Sequence, residues 1–230
     1  MALALYLFGF IQLPHDSKIE KLSVGRALFG TTVLVFVLYM IPGLFGAPLK
    51  LISAFPPPMS YSESPLGFGG GGQVASGDHV EGAHLGPQNI MTFHDFDDAK
   101  AYAEKVNKPL FVDFTGWNCV NCRKMEENVW GQPGIIDILK EDVVIASLHV
   151  DERTALPEEE QIEVEFTPGR KQVLKTVGDK WMYKEISEYQ VASQPYYIML
   201  GPNGEDLSNG PADYEHHSDP KDFLNWLQDG

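Results

Sequence analysis

Residues 111–130 read FVDFTGWNCVNCRKMEENVW: a β-branched and aromatic run, a Gly-Trp-Asn turn, then two cysteines two residues apart at the head of a helical pattern. LFVDFT at 110–115 predicts a short strand, apolar on both faces except for Asp113, as expected of a strand covered from both sides. Cys119 to Val129 predicts a helix. Helical positions three apart share one face at about 5 to 6 Å, the Cα separation a disulfide requires. Cys119 and Cys122 can therefore open and close a bridge. At the first turn, free backbone N–H groups and the helix dipole stabilise a thiolate, which makes Cys119 the attacking sulfur and Cys122 the resolving one. Half of a zinc site and a static structural bridge are the rival readings. Zinc takes four ligands, whereas the chain has only two cysteines, with His216-His217 the nearest-looking addition. A loop of two residues gains little closure entropy, which argues against a static bridge.

Outward from this stretch, helical and strand periods alternate. Phe93, Phe96, Ala99, Tyr102, Ala103 and Val106 predict a helix, with Asp95, Asp97 and Asp98 favouring its N-terminal end. Asn107-Lys108-Pro109 ends it. A second short helix runs from Pro133 to Leu139, and VVIASLHV at 143–150 is the next strand. The acidic insertion Asp151 to Glu165 reads as a solvated face, followed by a basic stretch around Gly169 to Lys175. Trp181 to Tyr189 predicts a helix and YYIML at 196–200 a strand. Pro202-Asn203-Gly204 is a turn signal after which Asp206-Leu207 returns as a hairpin edge. Ser218 and Asp219 cap a last helix that has Pro220 near its first position. This order predicts an α/β fold with helices on both faces of a sheet.

FVDFTGWNCVNCRKMEENVW, followed by VASQPYYIML at 191–200, resembles the thioredoxin fold, and more closely the C-terminal domain of the DsbD family of membrane disulfide reductases. The likeness spans about residues 91–230. It implies that Asp113, six positions before the first cysteine, lies under the redox pair. A carboxylate there has a raised pKa and accepts the Cys122 proton; an edge-strand acid facing water is the alternative. It also implies a second acid at Glu126, one turn beyond Cys122, which would raise the cysteine pKa values by like-charge repulsion, unless it is a plain exposed helix Glu. Pro195 matches a cis-proline that faces the dithiol. A cis bond after Gln194 would turn its backbone groups toward an extended partner segment; an ordinary trans proline at a strand start is the alternative. The family's Trp just before the first cysteine is replaced by Asn118, with Trp117 one position earlier, so Trp117 and Asn118 are expected to pack differently against a partner. Val120-Asn121 stands where thioredoxin has Gly-Pro, and that pair affects redox poise.

The chain has 230 residues, and 17 Lys and Arg against 32 Asp and Glu give a net charge of −15, which excludes nucleic-acid binding as the default reading. All the acids except Asp16 and Glu20 lie from Glu63 onward. Ala27 to Leu49, 23 residues without a charge, predicts one transmembrane helix, in preference to a buried core helix or a cleaved signal peptide. Lys18, Lys21 and Arg26 precede it, which places the N-terminal flank in the cytoplasm and the remainder outside. The apolar first 13 residues read as the tail of a preceding helix or as an interfacial stretch, so residues 1–26 are expected to end an apolar segment and form a cytoplasmic loop. Residues 50–90, with Pro56-Pro57-Pro58 and Gly69 to Gly72, read as a flexible linker to a thioredoxin-like domain at 91–230. His79, His84 and His94 near its far end read as solvated, with a metal site the lesser alternative.

The resemblance implies a protein-disulfide reductase of the bacterial inner membrane. Its dithiol domain faces the periplasm, takes electrons from an upstream transmembrane carrier and passes them to exported proteins with oxidised dithiols. No diffusible cofactor and no metal are expected, because the electrons travel on the sulfurs. A disulfide oxidase or isomerase is the rival within enzymes. A copper- or metal-delivery module using the same cysteines is the rival outside them.

Overall fold

The computed structural model describes residues 1–14, 16, 21–44, 80–167 and 169–230, which fall into two compact units. Lys18, the 45–49 end of the expected span and the linker residues 50–79, with Lys50, the prolines, Gly69 to Gly72 and His79, lie outside the described residues.

In the N-terminal unit, α1 (Ala2–Leu7) and α2 (Val24–Leu44) pack on one another. Arg26 donates to the carbonyls of Leu7 and Tyr6 at 3.2 and 3.0 Å, satisfying groups that the end of α1 leaves free. Helix α2 starts three residues before Ala27, because the Ser23 hydroxyl accepts the Arg26 amide and supplies a cap upstream of the apolar run. Pro42 stands inside it, and Val24–Gly43 is long and apolar enough to cross a membrane by length and composition.

The C-terminal unit is built on β1 (Ala83–Leu85), β2 (Met91–Phe93), α3 (Phe96–Val106), β3 (Leu110–Thr115), α4 (Val120–Asn128), α5 (Ile135–Asp137), β4 (Val144–His149), β5 (Glu163–Thr167), β6 (Arg170–Val173), α6 (Val177–Tyr189), β7 (Tyr196–Leu200), β8 (Ala212–Asp213), α7 (Tyr214–His217) and α8 (Pro220–Asp229). Six strands form a mixed sheet in the order β1-β2-β4-β3-β7-β8. β2, β4 and β3 run parallel, while β1, β7 and β8 pair antiparallel at the flanks. Both sides are covered, as the apolar strands require. Val112, Phe114, Ala146, Leu148 and Ile198 pack with α3 and α6 on one face. Phe111, Ile145, Tyr197 and Met199 pack with α4, α5 and α8 on the other, around Trp130, Phe223 and Trp226.

Four expectations change. Residues 83–93, assigned in part to the linker, supply β1 and β2; strands of three residues are too short to show a period, and pairing alone defines them. His84 and His94 are thereby drawn into the domain. The 151–175 stretch is not simply a solvated charge run: it contains the β5–β6 hairpin, with Val164 buried beside Leu156 and Leu174 and the Lys171–Glu163 ion pair outside. The Glu-Val-Glu-Phe alternation carried that signal at period 2. Helix α6 begins at Val177, four residues before Trp181, because Thr176 and Asp179 form a reciprocal capping box. Finally, Asp206 makes only an isolated bridge to Leu200, and the edge strand is β8, paired through Ala212 and Asp213.

Candidate functional site: a dithiol over buried acids

Cys119 is the N-cap of α4, and its sulfur accepts the amide hydrogen of Cys122 at 3.1 Å. The two cysteines are joined in a disulfide, with Cα atoms 5.3 Å apart. Cys119 is partly exposed, whereas Cys122 is 1 % exposed. An incoming disulfide therefore reaches Cys119 first, and the N–H groups at the helix start favour a thiolate there.

Strand alternation decides what lies beneath. Phe111, Asp113 and Thr115 share the β3 face covered by α4, and the register sets Asp113 beside Ser147 of β4 and Tyr197 of β7. Asp113 is buried. Its Oδ2 accepts from the Ser147 hydroxyl at 3.4 Å, and its Oδ1 has no hydrogen-bond partner. Burial pushes it up to about 7, against the pull of Arg123 and Ser147. Glu126 is buried rather than exposed, and burial pushes it up to about 8, with Arg123 opposing and Asp113 and Glu127 adding to the rise. Arg123 pairs with Glu126 at 2.6 Å and reaches the Thr115 hydroxyl at 3.3 Å. Cys122 thus sits on a helix that covers Asp113 and itself carries Glu126, two acids that burial raises toward neutrality against the pull of the buried Arg123.

The turn before the dithiol is tied down by acids from just beyond β4. Asp151 accepts from the Trp117 amide at 2.7 Å and from the Asn118 amide and side chain at 3.0 and 3.1 Å. Glu152 accepts from the Trp117 indole at 2.8 Å. Burial would raise Glu152, but hydrogen bonds from Thr154, Trp117 and Arg153 outweigh it and hold it at about 2. The first two acids of the insertion are anchors of the site. Trp117 stacks on His149 at 3.7 Å between ring centroids and meets His94 edge-on at 5.6 Å; His94 in turn lies 3.7 Å from His84. The rings of His94 and His149 both contact the Ser147 carbonyl at 3.2 Å. Burial lowers all three histidines, His84 to about 4 and His149 to about 3, so they are neutral imidazoles at neutral pH; His94 and His149 pack into the domain, whereas His84 stays exposed on β1 with its ring against His94.

The Gln194–Pro195 bond is cis. Ala192 and Ser193 are exposed just before it, and Glu185 of α6 holds this loop from below, accepting from the Ser193 amide at 3.2 Å and the Gln194 side chain at 2.7 Å. His216 and His217 are engaged by Asp213 instead of joining the cysteines. Among the described residues, no group of three or more His, Cys, Asp or Glu is arranged to hold a metal ion. Arg123, Ser147, His149, Asp151, Glu152 and Glu185 were not picked out from sequence. Only Arg123 had a local cue, its place directly after Cys122; the others join the site through sheet register and helix packing.

This fold and this dithiol define the class of thioredoxin-like disulfide oxidoreductase folds. The family model described as a thioredoxin-like domain matches residues 96–228, and the chain belongs to that family. Among solved structures, it is similar to a DsbH oxidoreductase (16 % identity, 52 % of this chain and 70 % of that one, TM-score 0.35). It is also similar to a thioredoxin from Thermus thermophilus (20 % identity, 60 % of this chain and 84 % of that one, TM-score 0.40). Comparison with curated proteins finds no match.

Proposed function

We propose that this chain is a membrane-tethered protein-disulfide reductase of the DsbD type, which passes electrons from a transmembrane carrier to exported proteins with oxidised dithiols. The Cys119 thiolate attacks a partner disulfide, forming a mixed disulfide and expelling one partner thiolate. Cys122 loses its proton toward Asp113 and attacks the Cys119 sulfur. That step closes the Cys119–Cys122 bond and releases the second partner thiolate, so two electrons have moved to the partner. An upstream dithiol then reduces the domain again.

The observation that carries this reading is the pairing of an accessible sulfur at a helix N-cap with a buried one on a helix that covers Asp113 and carries Glu126, two acids of raised pKa. Acids near neutrality beside the pair oppose a strongly stabilised thiolate. A weakly stabilised reduced form favours a reducing potential over that of a strong oxidant. The membrane reading is supported by α2, whose Leu28, Phe29, Val35, Phe36, Leu38 and Ile41 are all exposed, an arrangement suited to an apolar solvent. The Pro- and Gly-rich composition of 50–79 suits a tether.

The test is to express the full chain with Cys122→Ala, which stalls the exchange at the mixed disulfide. A reductase should accumulate partner proteins on Cys119, released by dithiothreitol, and the wild-type dithiol should equilibrate well below the oxidant range, by about 100 mV. An empty Cys119 in an exported extract, or a potential close to that of the strongest oxidants, rejects the assignment. Stoichiometric tight copper binding by the reduced chain without exchange activity would favour metal delivery instead.

A further inference from the structure

We infer that Glu185 is a positioning residue that pre-forms the 192–194 edge for an extended partner segment carrying the target disulfide; this rests on the reductase reading above. Glu185 is 0 % exposed, and both of its oxygens are used on one loop: Oε1 takes the Ser193 amide and Oε2 the Gln194 side chain. The loop joins α6 to β7, with Gln190 in the left-handed region at the end of the helix. Ala192 and Ser193 are exposed and Pro195 is buried, so the segment lies at the surface while Glu185 grips it from inside through the Ser193 amide and the Gln194 side chain.

A carboxylate is a costly choice at this place. Among the described residues none of the ion pairs includes Glu185. It also lies one turn from the C-terminal end of α6, where the helix dipole disfavours an anion. An apolar residue or a neutral amide would pack there with less penalty. What only a carboxylate supplies is two acceptors and no donor, matched to a backbone N–H and an amide NH2. Retaining it makes sense if the loop must be held in one conformation, because a pre-ordered edge spares a partner the ordering entropy when it adds as a strand.

The same geometry ties docking to pH. Burial pushes Glu185 up to about 7, against the hydrogen bonds from Gln194 and Ser193. Protonation turns one of its acceptors into a donor facing donors, so the grip loosens on the acid side. Among the described residues, the titratable group facing it is Tyr196 of β7. Burial, with the Glu185 charge adding to it, raises that phenol, which stays neutral throughout this range.

The experiment uses the full chain in detergent, pre-reduced, in single turnovers with insulin as the protein disulfide. Ellman's reagent serves as a small disulfide that needs no strand pairing. Glu185→Gln should raise the half-saturating insulin concentration about tenfold, with the limiting rate within about twofold, so that the insulin-to-Ellman's ratio of efficiencies falls by the same factor. In the wild type that ratio should fall as the pH drops through about 7, and in Glu185→Gln it should be flat. Gln194→Ala, a half-buried loop residue whose loss leaves the core intact, should reproduce most of the effect, and the double variant should add little. A variant with wild-type insulin saturation, or an equal loss with both disulfides, overturns the role of Glu185 alone. A wild type that exchanges with Ellman's reagent but leaves insulin intact overturns this role and the partner-disulfide reading together.

Discussion

Asp113, Glu126 and Glu185 are carboxyl groups that burial raises to about 7, 8 and 7, far above their unfolded values. Each is protonated in the folded state over a pH range where the unfolded chain is ionised, so stability falls as pH rises through their folded values. The histidines with lowered pKa act in the opposite sense. His84 and His149, lowered to about 4 and 3, leave the unfolded chain with more protons below about 6.5, so their contribution is lost as pH falls below that point. Above 6.5 only the carboxyl groups remain of these five. The melting temperature of the oxidised protein, followed by tryptophan fluorescence, should therefore fall between pH 6.5 and 8.5, with each group contributing at most about 1.4 kcal/mol per pH unit. Asp113→Asn should reduce the slope. A level or rising melting temperature over that window rejects the buried-acid assignment. The cysteines were legible in sequence because their chemistry depends on local spacing. Glu126 was ambiguous, since helix periodicity alone does not say which face the sheet will cover.

Helix α6 carries both ends of the site's support, Glu185 near one end and, at the other, Gly178 against the backbone just beyond β4. A Cβ at Gly178 would lie 2.6 Å from the carbonyl oxygens of Val150 and Glu152. The Gly178 amide donates to the Glu152 carbonyl at 3.0 Å, which fixes the close approach. Glycine is therefore required here by contact, although alanine is the better helix former by about 1 kcal/mol. Gly178→Ala should destabilise the domain by about 2 kcal/mol in urea unfolding, the usual scale of an overpacked site. Stabilisation of any size would show that the helix can draw back. Thr176→Ala should cost about 1 kcal/mol through loss of the capping box. At this scale the long apolar strands could be read from sequence. β1, β2 and β8 could not, because two- and three-residue strands exist only through their neighbours.

For the molecule as a whole, the proposed topology has an outcome that can be measured in cells. A membrane-impermeant maleimide should label Cys119 on intact spheroplasts after mild reduction, with at least about tenfold less signal from Cys119→Ser; labelling only after lysis would place the domain on the other side and remove exported partners from the reading. The amino-acid sequence by itself determined the bridged cysteine pair, the alternation that makes an α/β layer and the apolar helix, because each depends on spacing over a few residues. Only the tertiary structure decided that Arg123 pairs with Glu126 and acts on Asp113, that Asp151 and Glu152 hold the Trp117 turn, that three histidine rings cluster beside it and that Glu185 grips the loop before Pro195. Those contacts join residues brought together by strand register and helix packing, and neither is written in the spacing of any one segment.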